Sequence, residues 1–156
     1  AKTLMDSPEY KEVFETRLRE DSQAAGRWET AQGGEYFAAG VGGAITGRGA
    51  DLLIIDDPHS EQDALNMTAL ERAYEWYTSG PRQRLQPGGA IVCVMTRWNV
   101  KDLTGMLLEH QKEAKADQWE LIEFPAIMPS GNPVWPEYWN TKELECKTQH
   151  QKKVQS

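Results

Sequence analysis

The sequence predicts an α/β fold built on a mostly parallel sheet, and three observations carry that prediction. Two short apolar runs, 52–55 and 90–95, are each followed by a segment with helical spacing of apolar residues, and a third run at 119–124 continues the alternation. The runs are continuously hydrophobic rather than alternating, the pattern of strands covered on both faces. Strand, helix, strand, helix, strand in that order implies right-handed crossovers between parallel neighbours. The carboxyl ends of such strands open on one edge of the sheet, where folds of this kind bind ligands.

Composition bounds the function. With 156 residues there is room for one core, and 39% hydrophobic against 26% charged residues fits an ordered globular chain and not a disordered tail. No apolar run approaches the roughly 20 residues of a membrane span. The opening Ala-Lys-Thr-Leu-Met-Asp is too short and too soon charged for a secretory signal, so a cytosolic setting is expected. Cys93 and Cys146 form no metal-type pair, which suits a reducing compartment. A formal net charge of −7 excludes a surface that is basic throughout, so any contact with DNA must be local or made by other segments.

The elements follow in order. Ser7-Pro8 reads as an N-cap and first-turn proline opening an amphipathic helix to about Leu18. Residues 27–30 and 35–39 flank Gln-Gly-Gly as a short hairpin. Residues 40–49 contain five glycines and form a structured loop. After the strand at 52–55 comes Asp56-Asp57-Pro58, then a helix with Thr68 and Glu71 as a capping box, an apolar stripe of Leu70, Tyr74 and Tyr77, and a stop at Gly80-Pro81. A turn at Pro87-Gly88-Gly89 leads into the second strand, which ends in Thr96-Arg97-Trp98. Asn99 with Asp102 caps a helix presenting Leu103, Met106, Leu107 and His110 on one side. Beyond Pro125 the chain is irregular, with a last charged helix from about Thr141.

The chemistry gathers at the strand ends. Asp56 and Asp57 close a hydrophobic strand, where carboxylates need compensation by solvent or charge. A magnesium ion with retained waters supplies it, beside phosphate oxygens. The same residues also suit an ordinary turn, because Asp and Pro both favour turns. Thr96 ends the other apolar strand, so the topology alone brings Asp56, Asp57 and Thr96 to one edge.

The stretches GRGADLLIIDDPHS and ERAYEWYTSGPRQRLQPGGAIVCVMTRWN, with the flanking RWETAQGGEYFAAGVGGAITG and FPAIMPSGNPVWPEYW, resemble the large terminase subunit of tailed phages over about residues 7 to 146. The resemblance implies an additional-strand, RecA-like P-loop NTPase, a three-layer sandwich that is here incomplete. It implies that Asp56 ends the Walker B strand and holds Mg2+, and that Asp57 stands where many relatives carry a catalytic glutamate. It implies that Thr96 belongs to the coupling motif and senses the γ-phosphate of ATP, and that Arg48 acts in trans on a neighbouring subunit's ATP. A guanidinium neutralises charge on a transferring phosphoryl group, and a hydroxyl both donates to phosphate and accepts from water. The implied cofactors are Mg2+ and ATP. The implied partners are double-stranded DNA, portal protein, the small terminase subunit and further copies in a ring, in the host cytoplasm and transiently at the procapsid portal.

No G-x-x-x-x-G-K-S/T motif occurs, and the glycine loop precedes a strand, whereas a phosphate cradle follows one. By resemblance, Walker A belongs upstream and nuclease carboxylates downstream. Residues 1–130 then read as the central and C-terminal part of the ATPase domain, and 131–156 as its end with a linker. The expectation is that this chain alone binds ATP weakly, does not turn it over usefully, and leaves an unpaired apolar strand edge at 90–95. Two rivals stand beside the motor: a non-catalytic module docking on portal or a complementary fragment, and a metal-dependent nuclease using Asp56 and Asp57. The nuclease would want further acids at the other strand ends, which read Met95-Thr96 and Phe124-Pro125. Arg82, Arg84 and Arg97 are candidates for DNA or subunit contact, Trp98 for a packed aromatic, and His59, without a ligand partner at metal spacing, for an ordinary packed histidine.

Overall fold

The computed structural model describes residues 2–43, 45 and 47–145, apart from the side chains of Ser22 and Gln23. It divides into two compact units, Ala1–Ala116 and Asp117–Ser156. The first is mixed α/β, with a three-stranded antiparallel sheet and a two-stranded parallel sheet.

Two short helices, α1 (Lys2–Asp6) and α2 (Pro8–Val13), open the chain. The Ser7 side chain accepts from the Tyr10 N–H at 3.2 Å and Pro8 starts α2, as the sequence predicts. The helix stops at Val13, short of the expected Leu18. Phe14 turns extended, and the Arg17 guanidinium donates to the carbonyls of Lys11 at 3.0 Å, Phe14 and Thr16, satisfying acceptors that a longer helix would have used internally.

After residues 14–17, which belong to no helix or strand, comes β1 (Leu18–Ala24), which pairs antiparallel with β2 (Arg27–Thr30), and β2 pairs in turn with β3 (Glu35–Phe37). The hairpin forms as read from the sequence, though its second strand ends two residues early. Gly33, at φ 90°, makes its turn, and Thr30 Oγ1 accepts from the Gly34 N–H at 2.9 Å. Trp28 is buried and stacks on its cross-strand partner Tyr36, with ring centres 4.7 Å apart. Such an aromatic pair contributes about 0.5–1.5 kcal/mol beyond its area.

The parallel pair is β4 (Ala50–Asp56) with β5 (Leu85–Val94), in register from Leu52 opposite Ala90 to Asp56 opposite Val94. β5 begins earlier than expected. The Pro87-Gly88-Gly89 turn is a bulge inside the strand, with Gly88 at φ 81°, where proline's missing donor costs little. Between the strands lies α3 (Met67–Ser79), capped by the Asn66 side chain and stopped by Gly80-Pro81. After β5 comes α4 (Leu103–His110). Leu70, Ala73 and Tyr77 of α3, with Leu103 and Leu107 of α4, are buried where the two helices meet. Burying one such leucine is worth about 1.5–3 kcal/mol.

The expectation of strands covered on both faces is corrected. One face of the pair is covered: Ile55 is 4% exposed, and Cys93 Sγ lies 3.9 Å from Thr104 Oγ1 of α4. The other face shows Leu52, Ile54, Val92 and Val94 to solvent, Ile54 at 60%. Among the described residues each strand also has one unpaired edge. The apolar run forms the expected strand, but burial on its second face requires a layer that the described residues do not supply.

In the second unit, residues 119–124 form no strand, another correction. A strand needs a ladder; these residues belong to neither described sheet, and Leu121, Ile122 and Phe124 are exposed. Instead a turn through Gly131 joins Ile127 to Pro133 by an isolated bridge, and Tyr138 stacks on Trp135 and meets Trp139 edge to face. Residues 141–145 are helical, capped reciprocally by Asn140 and Glu143, with Leu144 buried. Cys146 lies outside the described residues. No helix among them is long and apolar enough to cross a membrane.

Candidate active site

Parallel pairing places the ends of β4 and β5 side by side, and the three acid and hydroxyl candidates lie there. The ladder runs one step past β4, with the Asp57 N–H donating to the Val94 carbonyl at 2.9 Å. Asp57 then takes a left-handed conformation at φ 41°, the one described non-glycine residue with positive φ. Aspartate tolerates this region better than most side chains. The kink turns its carboxylate sideways across the strand ends, where Oδ1 accepts from the Thr96 N–H at 3.2 Å. Asp56, still in the strand, follows Leu52 and Ile54 on the bare face. Asp56, Asp57 and Thr96 are all exposed.

Behind this rim the two exit loops are sewn together. After Asp57, Pro58 and His59 turn into the interior, and His59 Nε2 accepts from the Leu103 N–H at 2.9 Å. Burial pushes the His59 pKa below its ordinary value, outweighing the opposing pull of Asp102 and Asp63. Ser60 and Asp63 tie the next turn, and the Asn99 side chain donates to the Ala64 carbonyl at 2.9 Å.

Asp102 is the hub of the second loop. It is fully buried, yet its oxygens accept from the Arg97 Nε at 2.9 Å and from the backbone N–H groups of Trp98, Asn99 and Gly105 at 3.1, 3.2 and 2.9 Å. The charge is matched by a guanidinium and three oriented donors, which makes its burial tolerable. The sequence identifies Asp102 as a helix cap but not as the organiser of residues 97–99. That role depends on a loop folding back over the helix. Gly105 permits the approach, since a Cβ there would stand 2.0 Å from the Val100 carbonyl oxygen.

The basic candidates lie elsewhere. Arg97 is the ion-pair partner of Asp102. Arg82 and Arg84 sit in the 3-10 turn before β5, at the opposite end of that strand from Thr96. Arg48 pairs with Glu35, which also accepts from Arg27 at 3.1 Å, and its guanidinium lies 5.3 Å from the centre of the Phe37 ring. It precedes β4 whereas Asp57 follows it, so the strand's length, roughly 20 Å at about 3.3 Å per residue, separates them. Within one chain Arg48 and Asp57 do not share a site.

Among the described residues no three His, Cys, Asp or Glu side chains gather as a ready metal cage. The donors at the rim are two adjacent, exposed carboxylates. Hard oxygen ligands on an open rim match magnesium, which keeps most of its waters and takes one or two carboxylates beside a phosphate. No family model, curated protein or solved structure matches this chain.

Proposed function

We propose that this chain carries the hydrolytic rim of a nucleotide-driven motor of the large-terminase type, part of an additional-strand P-loop ATPase that moves double-stranded DNA into a procapsid. The observation that carries the reading is the bond from the Thr96 N–H to Asp57 Oδ1 at the carboxyl ends of adjacent parallel strands. It couples an acid suited to orienting water with a hydroxyl residue suited to sensing phosphate.

On this reading the roles divide by geometry. Asp56, exposed at the strand end, holds Mg2+, whose charge offsets that of the phosphate oxygens of ATP. Asp57 has one oxygen committed to Thr96, which fixes its plane, and the other is available to accept from a water. Thr96 has its N–H committed in the same bond, and on this exposed residue a hydroxyl can donate to a phosphate oxygen. Phosphoryl transfer demands mostly such positioning and charge stabilisation.

Arg48 serves a neighbouring copy's ATP, consistent with its distance from Asp57 of its own chain. Its exposed pairing with Glu35 is worth no more than about 1 kcal/mol, so exchanging it for a phosphate costs little. The phosphate cradle comes from residues outside these 156, and portal, small subunit and ring neighbours are the expected partners.

Mixing the chain with a separately expressed, P-loop-bearing segment of a large terminase tests the reading. Magnesium-dependent ATP hydrolysis that Asp57→Asn abolishes is the expected result. Absence of Mg–ATP binding and turnover in the mixture overturns it, and metal-dependent DNA cleavage without ATP would favour the nuclease. A second reading, a docking module without turnover, is favoured by the bare face of Leu52, Ile54, Val92 and Val94. It predicts binding to the added segment without hydrolysis.

A further inference from the structure

We propose that His59 is a positioning residue, which sets Asp57 against Thr96 by anchoring the acidic loop to the first turn of α4. The functional meaning of that role rests on the nucleotide-site reading above.

The first N–H groups of a helix have no partner within it. In α4 the Gly105 N–H is satisfied locally by Asp102, but the Leu103 N–H is taken by an imidazole 44 residues away. A serine or threonine nearby would have capped it equally well. The long-range acceptor ties the helix start to the loop that leaves β4, two residues beyond Asp57.

The same helix start also holds the other loop. Asp102 binds Arg97, Trp98 and Asn99, immediately after Thr96. Covalent chain and hydrogen bonds therefore close a ring: Asp57 through Pro58 to His59, across to Leu103 and Asp102, back along residues 97–99 to Thr96, and from Thr96 to Asp57. The bond that completes the ring is exposed to water and weak by itself. The buried side of the ring sets its geometry together with the ladder bond from the Asp57 N–H to the Val94 carbonyl, and among the described residues it is His59 that reaches from the β4 loop to the helix start. Among the described residues a further link between the loops, from the Asn99 side chain to the Ala64 carbonyl, joins them further from Asp57.

Amide hydrogen exchange on the full 156-residue chain tests the proposal with two variants. His59→Phe fills the space without an acceptor, and His59→Gln restores an acceptor at comparable reach. In the Phe variant the Thr96 and Leu103 amides are expected to exchange roughly three- to tenfold faster, the equivalent of one hydrogen bond, while the β4–β5 ladder is unchanged. The Gln variant is expected to return Thr96 to within about twofold of the native rate. Unaltered Thr96 exchange in the Phe variant, or no recovery in the Gln variant, overturns the proposal. Failure of either variant to fold also counts against it, because it assigns His59 to overall stability. Titrating Mg–ATP into the chain mixed with the P-loop-bearing segment separates the two readings: absence of binding there sinks the nucleotide site, while Thr96 exchange still decides the clamp.

Discussion

The Thr96 N–H points at Asp57 Oδ1 across 3.2 Å, joining residues 39 positions apart at the ends of two parallel strands. The contact depends on the left-handed backbone of Asp57, which swings its carboxylate off the strand axis and over the neighbouring strand's exit. Backbone conformation and hydrogen bond thus act on the same side chain.

Asparagine keeps both features, since it tolerates left-handed backbone and its amide oxygen accepts from Thr96. Asp57→Asn is therefore expected to change unfolding stability by less than about 0.5 kcal/mol, whereas Asp57→Ala, losing the bond and keeping the strain, costs about 1–3 kcal/mol. Urea denaturation monitored by tryptophan fluorescence measures both. An alanine variant as stable as the native chain would show that the contact contributes nothing.

Gly105 lies in the first turn of α4, where alanine would ordinarily stabilise the helix by about 1 kcal/mol. Here the added Cβ meets the Val100 carbonyl oxygen at 2.0 Å, so the loop held by Asp102 must move away. Overpacking of this kind costs about 1–3 kcal/mol and outweighs the propensity gain. Thermal unfolding of Gly105→Ala should show a lower midpoint; a rise would mean the loop relaxes freely.

His59 gives stability a dependence on pH. Burial lowers its pKa from the ordinary 6.5, so between the two values the unfolded chain binds a proton that the folded chain does not. The contribution is therefore fully present above pH 6.5 and is lost as pH falls below it. Stability curves should decline on the acid side of that value before carboxylates begin to titrate. In His59→Gln that part of the profile should flatten, and a native-like decline in the variant would assign the effect to other groups.

The exposed face of β4 and β5 should govern self-association. Ile54→Thr with Val92→Thr keeps β-branched side chains in both strands while removing two of four exposed apolar residues. Because both sites face solvent, each change should cost no more than about 0.5 kcal/mol. Light scattering over a concentration series should show less association than the native chain. A stability loss several times larger would mean that another layer already covers this face.

Much of the first unit is legible in the sequence because its signals are local. The cap at Ser7, the hairpin turn at Gly33, the stop at Gly80-Pro81 and the Asp102 cap each depend on a few adjacent residues. The errors fall where the outcome depends on a distant partner. Residues 14–18 carry a helical pattern, yet Arg17 takes the α2 carbonyls and the chain joins a sheet edge instead. Residues 119–124 have strand-like composition but join neither described sheet. His59 reads as an ordinary packed residue because its acceptor role involves a backbone N–H 44 positions on.

By itself the sequence determined the two parallel strands, the helices between and after them, and the convergence of Asp56, Asp57 and Thr96 at one edge. Hydrophobic runs and capping residues fix those elements, and parallel pairing fixes which strand ends meet. Only the tertiary structure decided that Asp57 turns its carboxylate onto Thr96, that Asp102 and His59 bind the two exit loops to one helix start, and that one sheet face stays bare. Those outcomes depend on burial and on hydrogen bonds between segments far apart in the chain, whose worth is set once the core has formed around them.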